Sequence, residues 1–149
     1  MTTAKPFLKW AGGKAQLLPT LTSFFPRELE SGHIENYYEP FVGGGAVFFK
    51  IIHSYNIKQA FLYDINPELI LAYEVIKFHV HDLIKALEYM ENEYLLLSVD
   101  GRKEYYYHVR DTYNSRSNCT SCSTRDLVQR AAQIIFLNNT IEDLTRKST

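Results

Sequence analysis

Proline is missing from the second half of this 149-residue chain: Pro6, Pro19, Pro26, Pro40 and Pro67 all lie in the first half. A chain that confines its helix breakers to one half is expected to be mostly helical in the other. Cysteine is scarce, at two residues, Cys119 and Cys122, which excludes a disulfide scaffold. No apolar run of signal-peptide type precedes the charged start over residues 5–14, so a reducing cytoplasm is the expected compartment. Long hydrophobic runs are absent as well. The stretch at 46–49 stops at Lys50, far short of the roughly 20 residues that cross a bilayer, and the chain is not read as a membrane protein. Nor does charge of one sign dominate. Sixteen Lys+Arg against 17 Asp+Glu leave a net charge of -1, so any contact with nucleic acid must come from a local patch. What remains, with 46% hydrophobic and 14% aromatic residues, is the composition of one soluble globular domain.

Residues 34–41 (I-E-N-Y-Y-E-P-F) are rich in β-formers and end at a glycine run, which predicts a strand delivering the backbone into a tight loop. After the glycines, Val47, Phe48, Ile51 and Ile52 fall at helical spacing. Residues 59–64 (Q-A-F-L-Y-D) predict a second strand closing on an acid. Asn66 and Pro67 then read as an N-cap and first helical residue, opening a helix to about His79. This β-α-β-α order is the pattern of a parallel sheet with helices on its faces, and ligands of such sheets bind at the carboxyl ends of the strands. Both the glycine run and Asp64 sit at such ends. Beyond residue 81 the pattern is helical only, over 82–95, 103–113 and 126–137, with Ser123, Thr124 and Asp126 as the capping signals of the last. The polar stretch 114–123 reads as a connector.

Three motifs carry chemistry. In F-V-G-G-G-A-V-F (41–48), glycines directly after a strand allow positive φ and close approach of a ligand, and the next helix offers its N-terminal N–H groups. A simple tight turn would use the same residues, and Phe48 occupies the third-glycine position of a dinucleotide fingerprint. Asp64, about twenty residues on, stands where such folds accept hydrogen bonds from ribose hydroxyls, a plain residue before the next helix being the lesser alternative. In K-P-F-L-K-W-A-G-G-K (5–14), Leu8 and Ala15 stand where a Walker A loop needs glycine and a hydroxyl, which rejects that route. Trp10 beside two glycines and Lys14 suits stacking on a planar base or meeting a carboxylate.

Taken together, F-L-K-W-A-G-G-K, then E-P-F-V-G-G-G-A-V-F-F, then Y-D-I-N-P-E-L-I resemble the Dam-type (D12 class) adenine-specific DNA N6-methyltransferases, in the same order and at similar spacing. The resemblance covers roughly residues 5–138, since Q-I-I-F-L-N-N-T is also similar to the family's segment leading into its DNA-contacting hairpin. It implies an α/β fold, a partial S-adenosylmethionine-dependent methyltransferase (Rossmann-like) parallel sheet followed by a helical target-recognition segment. It further implies S-adenosylmethionine as cofactor, with Phe41, Gly43, Gly44 and Gly45 lining it, Trp10 and Lys14 in contact and Asp64 holding its ribose. Double-stranded DNA is the implied partner, no metal is required, and the chain is expected to act as a monomer. The domain organisation follows: 1–80 for the cofactor, 81–140 for the target, 141–149 as a tail.

The family's catalytic Asp/Asn-Pro-Pro-Tyr/Phe motif binds the adenine amino group and stacks on the flipped base. No Pro-Pro pair occurs here, so no catalytic residue is assigned. That motif lies downstream in the family. The last residues, I-E-D-L-T-R-K-S-T, depart from the family's aromatic, glycine and arginine pattern, and the expectation is an aberrant tail on a truncated N-terminal fragment, inactive alone. A non-catalytic S-adenosylmethionine- or DNA-binding remnant is the alternative. A sheet cut after two or three strands would expose an apolar edge and favour aggregation.

Weaker features are read conservatively. Cys119 and Cys122 have C-x-x-C spacing with His108 as sole neighbour, which is short of a zinc site, and they read as reduced thiols. His79 and His81 suit a helix end. Tyr105, Tyr106 and Tyr107, consecutive on a helix, must point in different directions and favour packing over base stacking. Arg102, Lys103, Arg110, Arg116, Arg125 and Arg130 concentrate positive charge in the helical half, as DNA backbone contact requires, though solvated helix faces use the same residues.

Overall fold

The computed structural model describes residues 4–10, 13–115 and 123–146, with 141–146 as backbone. Two compact units divide the chain, Met1–Ile70 and Leu71–Thr149.

In the first unit a 3-10 turn (Lys14–Leu17) and two short helices, α1 (Leu18–Thr22) and α2 (Arg27–Glu30), precede strand β1 (Asn36–Glu39), helix α3 (Ala46–Ser54) and strand β2 (Gln59–Leu62). β1 and β2 pair in parallel with Asn36 opposite Gln59 and Glu39 opposite Leu62. The expected β-α-β unit is present, with strands shorter than the sequence suggests. Strand character ends where Pro40 removes a donor, but two further bonds carry the pairing on, from Tyr63 N–H to the Glu39 carbonyl (2.8 Å) and from Val42 N–H to the Tyr63 carbonyl (2.9 Å). Alternation puts Tyr38 and Phe61 on one face, their rings stacked 4.7 Å apart, and both remain exposed. Leu8, Leu29, Val42, Ile51 and Leu69 are buried.

α4 (Pro67–Leu96) starts as its sequence dictates. Asn66 Oδ1 accepts from the Glu68 N–H at 3.0 Å, and Pro67 takes the first position, where its missing N–H costs nothing. Two helices were expected on either side of residue 80, and α4 consists of two helical stretches that meet at a kink at His79, whose φ of -137° and ψ of 32° are non-helical. His79 therefore marks the end of the first stretch, as its sequence suggests. With no proline or glycine between 68 and 96, the interruption is confined to that one residue.

In the second unit α5 (Val99–Ser115) and α6 (Thr124–Arg146) follow. Both are longer than their apolar periodicity suggests, and α6 continues to Arg146, into the stretch read as a tail. Its start is a reciprocal cap: Asp126 N–H donates to Ser123 Oγ (3.3 Å) and Ser123 N–H to Asp126 Oδ2 (3.1 Å). Val128, Ala131, Ala132, Ile135 and Phe136 form its buried stripe. Phe136 meets Tyr94 and Tyr105 edge to face at 5.5 and 5.7 Å between ring centres, and those two rings are tilted against each other at 6.3 Å, one ring coming from each helix. No helix among the described residues is long and apolar enough to cross a membrane.

Candidate functional site

The loop between β1 and α3 is set by its glycines. Gly45 caps α3 at φ 82°, a left-handed conformation that residues with a Cβ rarely adopt, and its N–H closes the turn on the Val42 carbonyl at 2.8 Å. Gly44 serves close approach: a Cβ there would lie 2.6 Å from the carbonyl oxygen of Leu8. The N-terminal segment is thus pressed onto the glycine loop, with Leu8 itself buried.

Asp64, at the end of β2, fastens this loop from the other side. Its Oδ2 accepts from the Gly43 N–H at 2.9 Å and its Oδ1 from the Asn66 N–H at 3.0 Å. One carboxylate so joins the glycine loop to the turn before α4. Each oxygen keeps further acceptor capacity.

Lys14 bridges the N-terminal segment to β1. Its Nζ donates to Glu39 Oε1 at 2.6 Å and to the Phe41 carbonyl at 2.5 Å. Glu39 is buried, and its second oxygen accepts from the Tyr37 hydroxyl. Burial, and then the Glu39 carboxylate, push the Tyr37 phenol far above its ordinary range. Sequence reasoning did not single out Glu39. The available signal was an acid two residues before Phe41 at a strand's end, facing a lysine whose partner was otherwise unspecified.

Trp10, Lys14, Phe41, Gly43, Gly44, Gly45 and Asp64, the full set of expected cofactor residues, line one cavity of about 600 Å³. That volume suits a nucleoside-sized ligand. The Phe41 ring is 68% exposed at this cavity, available for stacking, and the Trp10 ring lies against the loop at Gly43.

The sequence pattern of the D12 class N6 adenine-specific DNA methyltransferases matches residues 10–149. The chain belongs to this family. It is 48% identical over 136 residues to a type II methyltransferase, M.MjaIII, of Methanocaldococcus jannaschii, covering 91% of this chain and 45% of that protein. It is 33% identical to the type II methyltransferase M1.LlaDCHI of Lactococcus lactis subsp. cremoris, over 89% of this chain and 40% of the relative. To the DNA adenine methylase of Escherichia coli K12 it is 31% identical, over 93% of this chain and 41% of the relative. The chain spans less than half the length of these curated relatives. A D12 methyltransferase requires a methyl donor and a DNA substrate, and the two-stranded parallel sheet with its helices is consistent with a methyltransferase fold.

In the helical unit of this D12 chain the basic residues divide. Arg102 holds the end of α4, donating to the carbonyls of Tyr94 (3.2 Å), Leu97 (3.1 Å) and Leu95 (2.9 Å). Arg130 donates to the Tyr113 carbonyl at 3.0 Å and lies over that ring. Arg110 covers Tyr107 and stands 3.5 Å from Asp111. Lys103 and Arg125 are exposed. The three tyrosines part company as expected: Tyr106 is buried, Tyr107 exposed, and Tyr105 donates to Glu93 at 3.0 Å. Arg116, Cys119 and Cys122 lie outside the described residues.

Proposed function

We propose that this chain is the cofactor-holding part of an S-adenosylmethionine-dependent DNA adenine N6-methyltransferase acting on double-stranded DNA. Residues 1–80 serve the cofactor and residues 81–140 the DNA target. The supporting observation is the convergence of seven residues from three separate sequence motifs on a single cavity at the carboxyl ends of β1 and β2.

The residues present fit S-adenosylmethionine. Asp64 is anchored by two backbone N–H groups at the loop edge, which fixes its orientation while leaving lone pairs for a ribose diol. Phe41 offers an exposed ring for the adenine, and the glycines leave room against the loop. When bound, the cofactor supplies an activated methyl group to the adenine amino nitrogen. The chain's own contribution is to hold and orient, which is how positioning lowers such a barrier. No Pro-Pro pair occurs in the sequence, so no residue here is assigned to the adenine amino group. The same reading makes the protein a cytoplasmic monomer, and restriction-modification is a role consistent with its type II relatives.

Calorimetric titration of S-adenosylmethionine into the 149-residue chain tests this. Asp64→Ala should weaken binding about 10–100-fold, the worth of hydrogen bonds to a charged acceptor. Because Asp64 also fastens the loop, Phe41→Ala is the cleaner companion, since that exposed ring can be removed without opening the core. Binding unchanged in both variants, or absent from a folded wild-type chain, overturns the proposal.

A further inference from the structure

The helical unit contains a second cavity, of about 740 Å³, that the cofactor reading does not use. Two helix stripes share it. Arg125, Gln129 and Gln133 stand four residues apart on α6 and therefore on one face. Tyr89 and Glu93 form the matching pair on α4, with Tyr105 of α5 beside them. The cavity is graded in polarity and depth. Arg125 is exposed at one end of its stripe, whereas Gln133, at the other, is only 6% exposed. Gln133 has no side-chain hydrogen bond among the described residues, and no buried polar atom there lacks a partner, so its amide opens into the space that it lines. Its amide nitrogen and oxygen therefore meet solvent within the cavity and stay available to a ligand.

The opposite wall is ordered. Glu93 accepts from the Tyr89 hydroxyl at 2.7 Å and from the Tyr105 hydroxyl at 3.0 Å, one on each oxygen. Tyr89 is 65% exposed, yet its orientation is tethered by that bond. The site thus presents an accessible aromatic ring fixed in direction, a carboxylate with a lone pair to spare on each oxygen, an amide able to donate and accept, and a cation four residues from Gln129 and eight from Gln133 along the helix. A flat ligand with an amine on its edge, a ring nitrogen next to it and an anionic substituent satisfies all of these. Glutamine pairs bidentately with the amine and ring nitrogen of adenine, and aromatic side chains stack on bases of any sequence.

We infer that this cavity binds a nucleobase carrying an exocyclic amine, adenine above all, stacked on Tyr89 and read by Gln133 and Glu93, with its phosphate toward Arg125. The base comes either from a free nucleotide or from an unstacked position in a DNA strand. The carboxylate sets the specificity: a base with a carbonyl in place of the amine turns an acceptor toward Glu93 and is repelled.

Adenosine titrated into the 15N-labelled chain, with side-chain amide resonances as the readout, tests the site directly. Perturbation at the cofactor cavity appears at Gly43–Gly45, so the two sites are separated. Saturable shifts of the Gln129 and Gln133 amides by adenosine, at least tenfold weaker with inosine, are expected. Gln133→Leu should abolish the Gln129 shift, and should that variant fail to fold, Tyr89→Ala on the exposed ring should weaken adenosine binding several-fold. Glu93→Gln should narrow the gap between adenosine and inosine. Tighter binding of AMP than of a single-stranded adenine oligonucleotide makes the ligand a free nucleotide, and the reverse order makes it a strand; either supports the site. No shift of the two amides up to millimolar adenosine, or equal shifts with inosine, overturns it.

Discussion

Replacing Lys14 by methionine isolates the bridge that fixes the N-terminal segment against β1. The change keeps the length and apolar character of the side chain but removes the ammonium that donates to Glu39 and to the Phe41 carbonyl. Glu39 would then be a buried carboxylate, 8% exposed in its side chain, left with the Tyr37 hydroxyl as its remaining side-chain partner in this network. Breaking a fully buried pair costs about 3–5 kcal/mol, because one charge is stranded. Lys14 is 33% exposed, so water reaches the gap and screens part of that cost. The expected loss is about 2 kcal/mol, which for a chain of this size lowers Tm by roughly 4–8 °C. Glu39→Gln removes the stranded charge, so adding it to Lys14→Met should cost about 1–2 kcal/mol less than the two single losses summed. Thermal unfolding followed by circular dichroism measures all three variants. A Lys14→Met chain within about 0.5 kcal/mol of wild type, or strict additivity in the double variant, refutes the view of Glu39 as a buried charge dependent on Lys14.

Tyr37 has a phenol pushed above its ordinary value of about 10, so its neutral form is favoured by folding. Its contribution is complete below pH 10 and is lost as pH rises through the higher folded value; wild type should lose Tm more steeply above pH 10 than Tyr37→Phe, and parallel pH profiles would contradict this. Gly44→Ala places a methyl 2.6 Å from the Leu8 carbonyl, a backbone atom of a residue that is 2% exposed and not free to retreat. The expected cost is about 1–3 kcal/mol of stability, with weakened S-adenosylmethionine binding, and a variant melting with wild type would show the contact to be soft.

Local chemistry made much of the fold legible. The β-α-β order, the cap at Asn66 and Pro67, and the reciprocal cap at Ser123 and Asp126 are written in short stretches, because each depends on a residue satisfying backbone groups a few positions away. Strand ends were less legible: pairing past Glu39 continues through single bonds around Pro40 that no periodicity announces. The break expected near residue 80 is present as the kink at His79. His79 and His81 read as a helix end by charge, and with no proline or glycine nearby the interruption takes one residue before helix resumes. At the cavity beside the glycine loop the lining residues were marked by motif, but not the bonds they make within the fold. Asp64 and Lys14 each hold the loop that they border, and Glu39 became visible only once Lys14 was seen to reach it across 25 residues of sequence.

Charge is the feature for which a sequence tally misleads most. Six basic residues in the helical half suggest a surface for phosphates, but a guanidinium is also the best available partner for carbonyls left open at a helix end and for the face of a tyrosine ring. Arg102 meets three such carbonyls at the negative end of α4, where the aligned peptide dipoles favour a cation. Arg130 and Arg110 are drawn onto Tyr113 and Tyr107. Each of these cations is already close to acceptors or a ring, so turning it toward a phosphate means giving up contacts of comparable strength. Lys103 and Arg125 have no ion pair among the described residues and can meet an anion without that exchange. Of these two, Arg125 alone continues into a stripe of amides leading to a buried glutamine. The positive charge that matters for recognition in this unit is therefore decided less by how many arginines it has than by which of them the helices leave uncommitted.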